Sequence, residues 1–176
     1  SNPLEPLVDD LDLLPAPDKT LYPYYENSIK RIGFAPFFFT RGCPFTCTYC
    51  FNQSFAELYN RKRNFPRFRS VKECINEIES VVANYHSEID CVIVGDDIFG
   101  PDTEWRRDFC EQYKKRILDR YGVRFQILMR VEMFQNTKLP RMLKEAGCFK
   151  VAFGVESGDE QQRKEVLDRQ MSDKKL

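Results

Sequence analysis

Three cysteines fall within one short stretch, Arg41-Gly42-Cys43-Pro44-Phe45-Thr46-Cys47-Thr48-Tyr49-Cys50-Phe51-Asn52. Gaps of three and two residues let a single loop wrap a metal centre. Thiolates are soft ligands, and soft ligands select zinc or iron–sulfur clusters. A closed zinc site takes four ligands, usually as two pairs. The remaining cysteines, Cys74, Cys91, Cys110 and Cys148, are scattered singly and read as small buried packing groups. His86, the single histidine, is the one candidate for a fourth zinc ligand and otherwise reads as a surface residue at a helix end. Three local thiols with no fourth suit a cubic four-iron cluster whose last iron stays open to an outside ligand. Spacing alone leaves both metals in play.

Such a loop needs a frame to hold it. Ala35 to Thr40 is apolar and aromatic, as a buried strand is, and leads straight into the cysteines. Ser70 caps a helix with Glu73 three positions on, and Val71, Cys74, Ile75, Ile78, Val81 and Val82 recur at helical spacing. Asp90 to Gly95 reads as a second strand, and Asp102 or Thr103 opens a helix to about Tyr121, stopped by Gly122. Val123 to Met129 is a third strand, Leu139 to Ala146 a shorter helix, Phe149 to Phe153 a fourth strand, and Asp159 starts a helix to about Arg169. Strand alternating with helix across short connections predicts an α/β fold with an open parallel sheet of about four βα units. In such sheets the reactive groups collect at the C-terminal ends of the strands. Asp96 and Asp97, Arg130, and Glu156 with Ser157 stand at those ends. Four units cannot close a barrel, so the last strand keeps an unpaired edge.

Residues 1–28 are different in kind. Glu5, Asp9, Asp10, Asp12 and Asp18 outweigh Lys19, and five prolines break every helix, so the stretch reads as an extended lead-in to a core over 29–176. The whole chain of 176 residues carries 27 basic and 27 acidic side chains. That balance removes the long-range field that gathers nucleic acid or an anionic membrane. No apolar run approaches the roughly 20 residues that span a bilayer, and no signal peptide opens the sequence. These features, with seven cysteines, an odd number, place it in a reducing cytoplasm where thiols stay free for metals.

With Tyr49 directly before the third cysteine, the loop resembles that of the radical S-adenosylmethionine superfamily. The resemblance covers nearly the whole chain. Asp10-Leu11-Asp12-Leu13-Leu14-Pro15-Ala16-Pro17-Asp18, Arg41-Gly42, Asp96-Asp97-Ile98-Phe99, Arg130, and Gly154-Val155-Glu156-Ser157-Gly158 are similar to the branch whose members carry a cobalamin-binding domain upstream. It implies a partial TIM-type (β/α) barrel, truncated after four units and without a cobalamin domain. It implies a four-iron four-sulfur cluster on Cys43, Cys47 and Cys50 that reductively cleaves S-adenosylmethionine to a 5′-deoxyadenosyl radical. The setting it implies is a cobalamin-dependent methyltransferase or related enzyme, acting on a small molecule or peptide and reduced by flavodoxin or ferredoxin. Tyr49 would lie beside the adenine, Asp96 or Asp97 would take the ammonium, Arg130 the carboxylate, and Glu156 with Ser157 the ribose side. The family commonly has Gly-Gly-Glu where this chain has Gly95-Asp96-Asp97, a shorter carboxylate.

Blander and rival readings stand beside these. Asp96-Asp97 also suit a cap, and Arg130 with Glu156 a structural salt bridge. Arg61, Lys62, Arg63, Arg67 and Arg69, interleaved with Tyr59, Phe65 and Phe68, would suit RNA and an RNA methylthiotransferase relative. Such enzymes use a second cluster for which this chain has no cysteines, and zero net charge favours a solvated loop. From another class comes a zinc-stabilised interaction module.

Overall fold

The apolar runs become the strands of a four-stranded parallel sheet in the computed structural model, which describes residues 3–21, 23–60, 66–134 and 138–176. Its strands are β1 (Phe34–Phe37), β4 (Cys91–Val94), β5 (Arg124–Leu128) and β6 (Cys148–Ala152), in the order β1-β4-β5-β6. Two shorter strands, β2 (Thr40–Arg41) and β3 (Arg67–Phe68), form an antiparallel ribbon beside it. The helices are α1 (Lys30–Ile32), α2 (Phe51–Leu58), α3 (Val71–Tyr85), α4 (Thr103–Tyr113), α5 (Asp119–Tyr121), α6 (Lys138–Glu145) and α7 (Glu160–Glu165). This is the open parallel sheet expected from the alternation, a partial TIM-type core. The helix starts follow the capping chemistry: Ser70, Asp102 and Asp159 accept hydrogen bonds from the backbone N–H of Glu73, Trp105 and Gln162.

Strand register explains which face is buried. Ala35 pairs with Val92 and Val92 with Phe125, while Phe37 pairs with Val94 and Val94 with Ile127. All six are fully buried and join Ile75, Ile78, Val82, Phe109 and Ile117 from the helices in one core. Each of the larger of these side chains contributes about 1.5–3 kcal/mol when removed from water. The intervening residues Pro36, Ile93, Gln126 and Lys150 form the ladder of the other face, which a partial barrel leaves open. Phe99 is buried between Phe109 and Phe125 and its N–H donates to Leu128 O at 3.0 Å, so the loop after β4 is pinned to the sheet.

Several elements lay outside the expectation. A π-helical turn, Tyr25–Ile29, and α1 follow the lead-in, α2 follows the cysteines, and the β2–β3 ribbon is too short to show as a pattern. The expected long last helix ends at Glu165, and Asp168 turns the chain at φ +48°. Nor is the lead-in loose. Arg67 Nη1 donates to Val8 O at 2.6 Å, Arg69 Nη2 to Leu14 O at 3.2 Å, and Ser70 N to Asp12 Oδ1 at 2.9 Å. Arg69 also pairs with Glu77 at 2.8 Å, and Lys19 with Glu77 at 3.0 Å. Arg67 and Arg69 are therefore buried straps for the lead-in rather than members of a solvated loop. Arg61, Lys62, Arg63 and Phe65 lie outside the described residues.

The segment after α7 returns to the cysteine loop. Arg163, 0% exposed, anchors it: Nε donates to Met171 O at 3.1 Å, Nη1 to Ser157 O at 2.7 Å, and Nη2 pairs with Asp173. Thr48 N and Oγ1 then donate to Leu167 O and Val166 O at 3.3 and 2.7 Å, and Thr46 Oγ1 to Asp168. A second tie lies at the other side of the loop. Asp96 is 2% exposed, and its Oδ1 accepts from Phe39 N at 2.7 Å and Thr40 N at 3.0 Å. Burial pushes its carboxyl up to about 6, against the pull of those backbone N–H groups. Oδ2 is buried with no hydrogen-bond partner among the described residues.

Arg163→Met should destabilise the chain by about 2–4 kcal/mol, because the carbonyls it serves lose their donor; the well-exposed Asp173 adds little. Urea unfolding measures the loss, and hydrogen exchange at Thr48 N should accelerate more than exchange in the β4–β5 pair. For Asp96 the fold favours the protonated form, so its contribution is complete below the usual value of 3.8 and lost as pH rises through about 6. Asp96→Asn keeps an oxygen acceptor and should remove a slope worth roughly 3 kcal/mol between those limits. Urea midpoints of both proteins from pH 4 to 7 check this, and parallel curves would refute it.

Candidate functional site

Gly42, at φ +94°, turns the backbone out of β2 and into the cysteine loop, a conformation that side-chain-bearing residues rarely adopt. Cys50 N donates to Cys47 O at 3.0 Å, and Cys50 then precedes the first residue of α2. The loop is thus held by a turn inside it, a helix behind it and the returning tail beside it. All three thiols line one cavity of about 360 Å³. The sheet contributes Asp97 after β4, Arg130 after β5 and Glu156 after β6; the tail contributes Arg169. Among the described residues no three of His, Cys, Asp or Glu close on a single point as ligands of one metal ion do.

The charges of the cavity are arranged around Cys47, which is 7% exposed. Arg130 Nη1 is 3.3 Å and Arg169 Nη1 3.9 Å from its Sγ. Arg130 lies over the Phe45 ring, 4.0 Å from its centroid, and pairs with Glu132. Burial opposes ionisation of both members of this pair; their attraction overrides it, holding Glu132 below and Arg130 above their usual values. Arg169 donates to Tyr49 Oη at 2.8 Å and Gly154 O at 2.5 Å, and faces Glu156 at 3.8 Å. Cys43 is different: burial pushes its thiol up, and the Asp97 carboxylate adds to that. Glu156 has φ +68°, a strained setting for glutamate, and a Cβ on Gly154 would meet its Oε1 at 2.3 Å.

The structure sorts the expected residues. Cys43, Cys47, Cys50, Tyr49, Asp97, Arg130 and Glu156 share the cavity. Asp96 does not line it, because its carboxylate is spent on the backbone of Phe39 and Thr40. Ser157 is also outside: its Oγ accepts from Asp159 N at 3.1 Å and its carbonyl serves Arg163, so it shapes the start of α7. The suggested Arg130–Glu156 salt bridge is replaced by Arg130–Glu132 and Arg169–Glu156. His86 is exposed at the end of α3 beside Tyr121 and does not line the cavity. Cys74, Cys91 and Cys110 are buried, as packing groups are. Arg169, Glu132 and Phe45 were missed. The helical pattern runs to about Arg169 in the sequence, so that residue carries no signal of its own there beyond a positive charge after the Gly154–Gly158 loop.

Known proteins show the same core. The profile of the Radical SAM superfamily matches residues 37–175. An uncharacterised methyltransferase of Pyrococcus horikoshii is 29% identical over 157 residues, which are 89% of this chain and 32% of that protein. The anaerobic magnesium-protoporphyrin IX monomethyl ester cyclase of Rubrivivax gelatinosus is 30% identical over 164 residues, 89% of this chain and 26% of that one. The chain therefore spans about a third or less of the curated relatives it matches. A solved structure of the apo cobalamin-dependent S-adenosylmethionine radical enzyme OxsB superposes with a TM-score of 0.56 at 22% identity, over 73% of this chain and 19% of that one. That likeness concerns the fold. The family profile runs from β1 through the cysteine loop to the tail that carries Arg169, and on that match this chain belongs to the radical S-adenosylmethionine superfamily.

Proposed function

We propose that Cys43, Cys47 and Cys50 hold a four-iron four-sulfur cluster beside a bound S-adenosylmethionine, in an enzyme that cleaves this molecule reductively. The observation that carries the reading is the shared cavity, in which three thiols meet cations able to balance a negative group. The donor set fits: three free thiols, soft ligands of the kind an iron–sulfur cluster takes, line the cavity together with Asp97, Arg130 and Arg169. When bound, such a cluster supplies the electron that splits the sulfonium into methionine and a 5′-deoxyadenosyl radical.

This chain's own residues bind and orient. Asp97, exposed after β4, accepts the ammonium of the substrate's methionine part. Arg130 is neutralised by Glu132, so Arg169, whose Glu156 contact is long, shares the carboxylate. Glu156 faces the ribose from its strained turn, with Gly154 leaving room, and Tyr49 lies beside the adenine. The wider enzyme, in the reading the relatives' names support, is a cobalamin-dependent methyltransferase or related enzyme, with cobalamin held outside this chain. A flavodoxin or ferredoxin supplies electrons, and a small molecule or peptide is the substrate. RNA loses ground because Arg67 and Arg69 are committed to the lead-in.

Anaerobic reconstitution should load about four irons and four sulfides per chain, and Cys43→Ala, Cys47→Ala or Cys50→Ala should each abolish the dithionite-bleachable visible absorbance. With S-adenosylmethionine and dithionite, the loaded chain should release 5′-deoxyadenosine and methionine in equal amounts. One zinc and no iron, or bleachable absorbance retained in Cys43→Ala, would overturn the reading.

A further inference from the structure

The three thiols sit in unequal fields. Two guanidiniums converge on Cys47, and both are nearly buried, Arg130 at 8% and Arg169 at 5% exposure. Among the described residues the hydrogen bond to Cys50 Sγ comes from the neutral amide of Asn52, at 3.8 Å. Cys43 feels both the Asp97 carboxylate and the Arg130 guanidinium, whose hydrogen bond goes to Cys47. The cations cannot swing away, because each is held by other partners: Arg130 by the Phe45 ring and Glu132, Arg169 by Tyr49 and Gly154. Glu132 offsets one positive charge. Arg169 faces Glu156 at 3.8 Å, itself 40% exposed, and shares the charge of Glu132, so two guanidiniums have one well-buried carboxylate between them beside the Cys47 sulfur.

Building on the reading above, we propose that Arg130 and Arg169 form a potential-setting pair, whose N–H groups directed at the Cys47 sulfur raise the reduction potential of the cluster held there. Reduction adds one negative charge. Hydrogen bonds to a ligating sulfur and cations at short range stabilise the more negative state, and a buried site screens them little. Glu132 works in the opposite sense, since it draws the Arg130 guanidinium toward itself and away from full donation to sulfur. The pair is a positioning device and takes no part in bond breaking in this role.

The test is a redox titration of the reconstituted full chain, without S-adenosylmethionine, using dithionite as one-electron reductant and reading the reduced cluster by electron paramagnetic resonance. Arg169→Gln and Arg130→Gln should each lower the equilibrium constant for reduction about tenfold, which is ~59 mV for one electron. Lysine at either position, which keeps the charge, should restore most of the shift. Glu132→Gln should move the potential upward. Arg120→Gln, which removes a cation paired with Glu79 on α5, ahead of the N-terminal end of β5, should leave it unchanged. Arginine labelled with nitrogen-15 should show a hyperfine coupling to the reduced cluster that weakens in each glutamine variant. Should a glutamine variant fail to load, the lysine variants and Glu132→Gln still decide the matter. A chain that takes up no iron and sulfide overturns both this inference and the reading beneath it. A cluster that loads fully but keeps its potential in Glu132→Gln and both glutamine variants overturns the inference alone.

Discussion

The buried guanidinium of Arg163 is the tie on which the site depends. It spans the start of α7 and the tail, and so converts a helix of only six residues into a fixed corner. From that corner the chain runs back along the cysteine loop, where Thr46 and Thr48 meet it. An arginine with no exposed surface is expensive to bury, and three acceptors compensate. The result is that the sheet does not hold the cysteine loop by its strand alone. It grips the loop from two directions, through Asp96 at the end of β4 and through the tail beyond β6.

Rigid placement matters because the chemistry of thiols is governed by nearby charge. The cavity gathers two cations, two carboxylates and three thiols within a space about the size of one small cofactor, and a third carboxylate, Glu132, pairs with Arg130. Their distribution is uneven in a definite way: positive charge is concentrated at the most buried thiol, while the cavity's own carboxylates, Asp97 and Glu156, are exposed. Arginine suits this task better than lysine, because its planar fork serves a sulfur, a carboxylate, a ring face and a carbonyl at once. Arg130 and Arg169 each use several of those abilities.

What could be read from the sequence was what depends on local pattern. The four strands, the caps at Ser70, Asp102 and Asp159, and the cysteine loop all announce themselves through periodicity or spacing. The strand-end rule placed Asp97, Arg130 and Glu156 at the cavity, but could not separate Asp97 from Asp96. Adjacent residues at a strand end point to opposite sides, and only the position of the β1–β2 backbone shows which one is taken. Arg67 and Arg69 looked like surface charge because their acceptors, Val8 O and Leu14 O, lie more than fifty residues earlier. Arg169 was invisible for the same reason, since its partners are Tyr49 and Cys47. Long-range hydrogen bonds to backbone carbonyls leave no trace in composition.

Cys47 and Arg169 are 122 positions apart along the chain. At a synthesis rate of about 5–20 residues per second, the thiols leave the ribosome roughly 6–25 s before the arginine that covers them. Through that interval they lack the tail and its cation, while Arg130, 83 positions after Cys47, emerges earlier. The ordering is imposed by connectivity, since the thermodynamic penalty for closing so long a loop rises only slowly with its length. A nascent chain therefore presents an open trio of thiols first, and Arg169 joins them only after β6 and its tail have emerged.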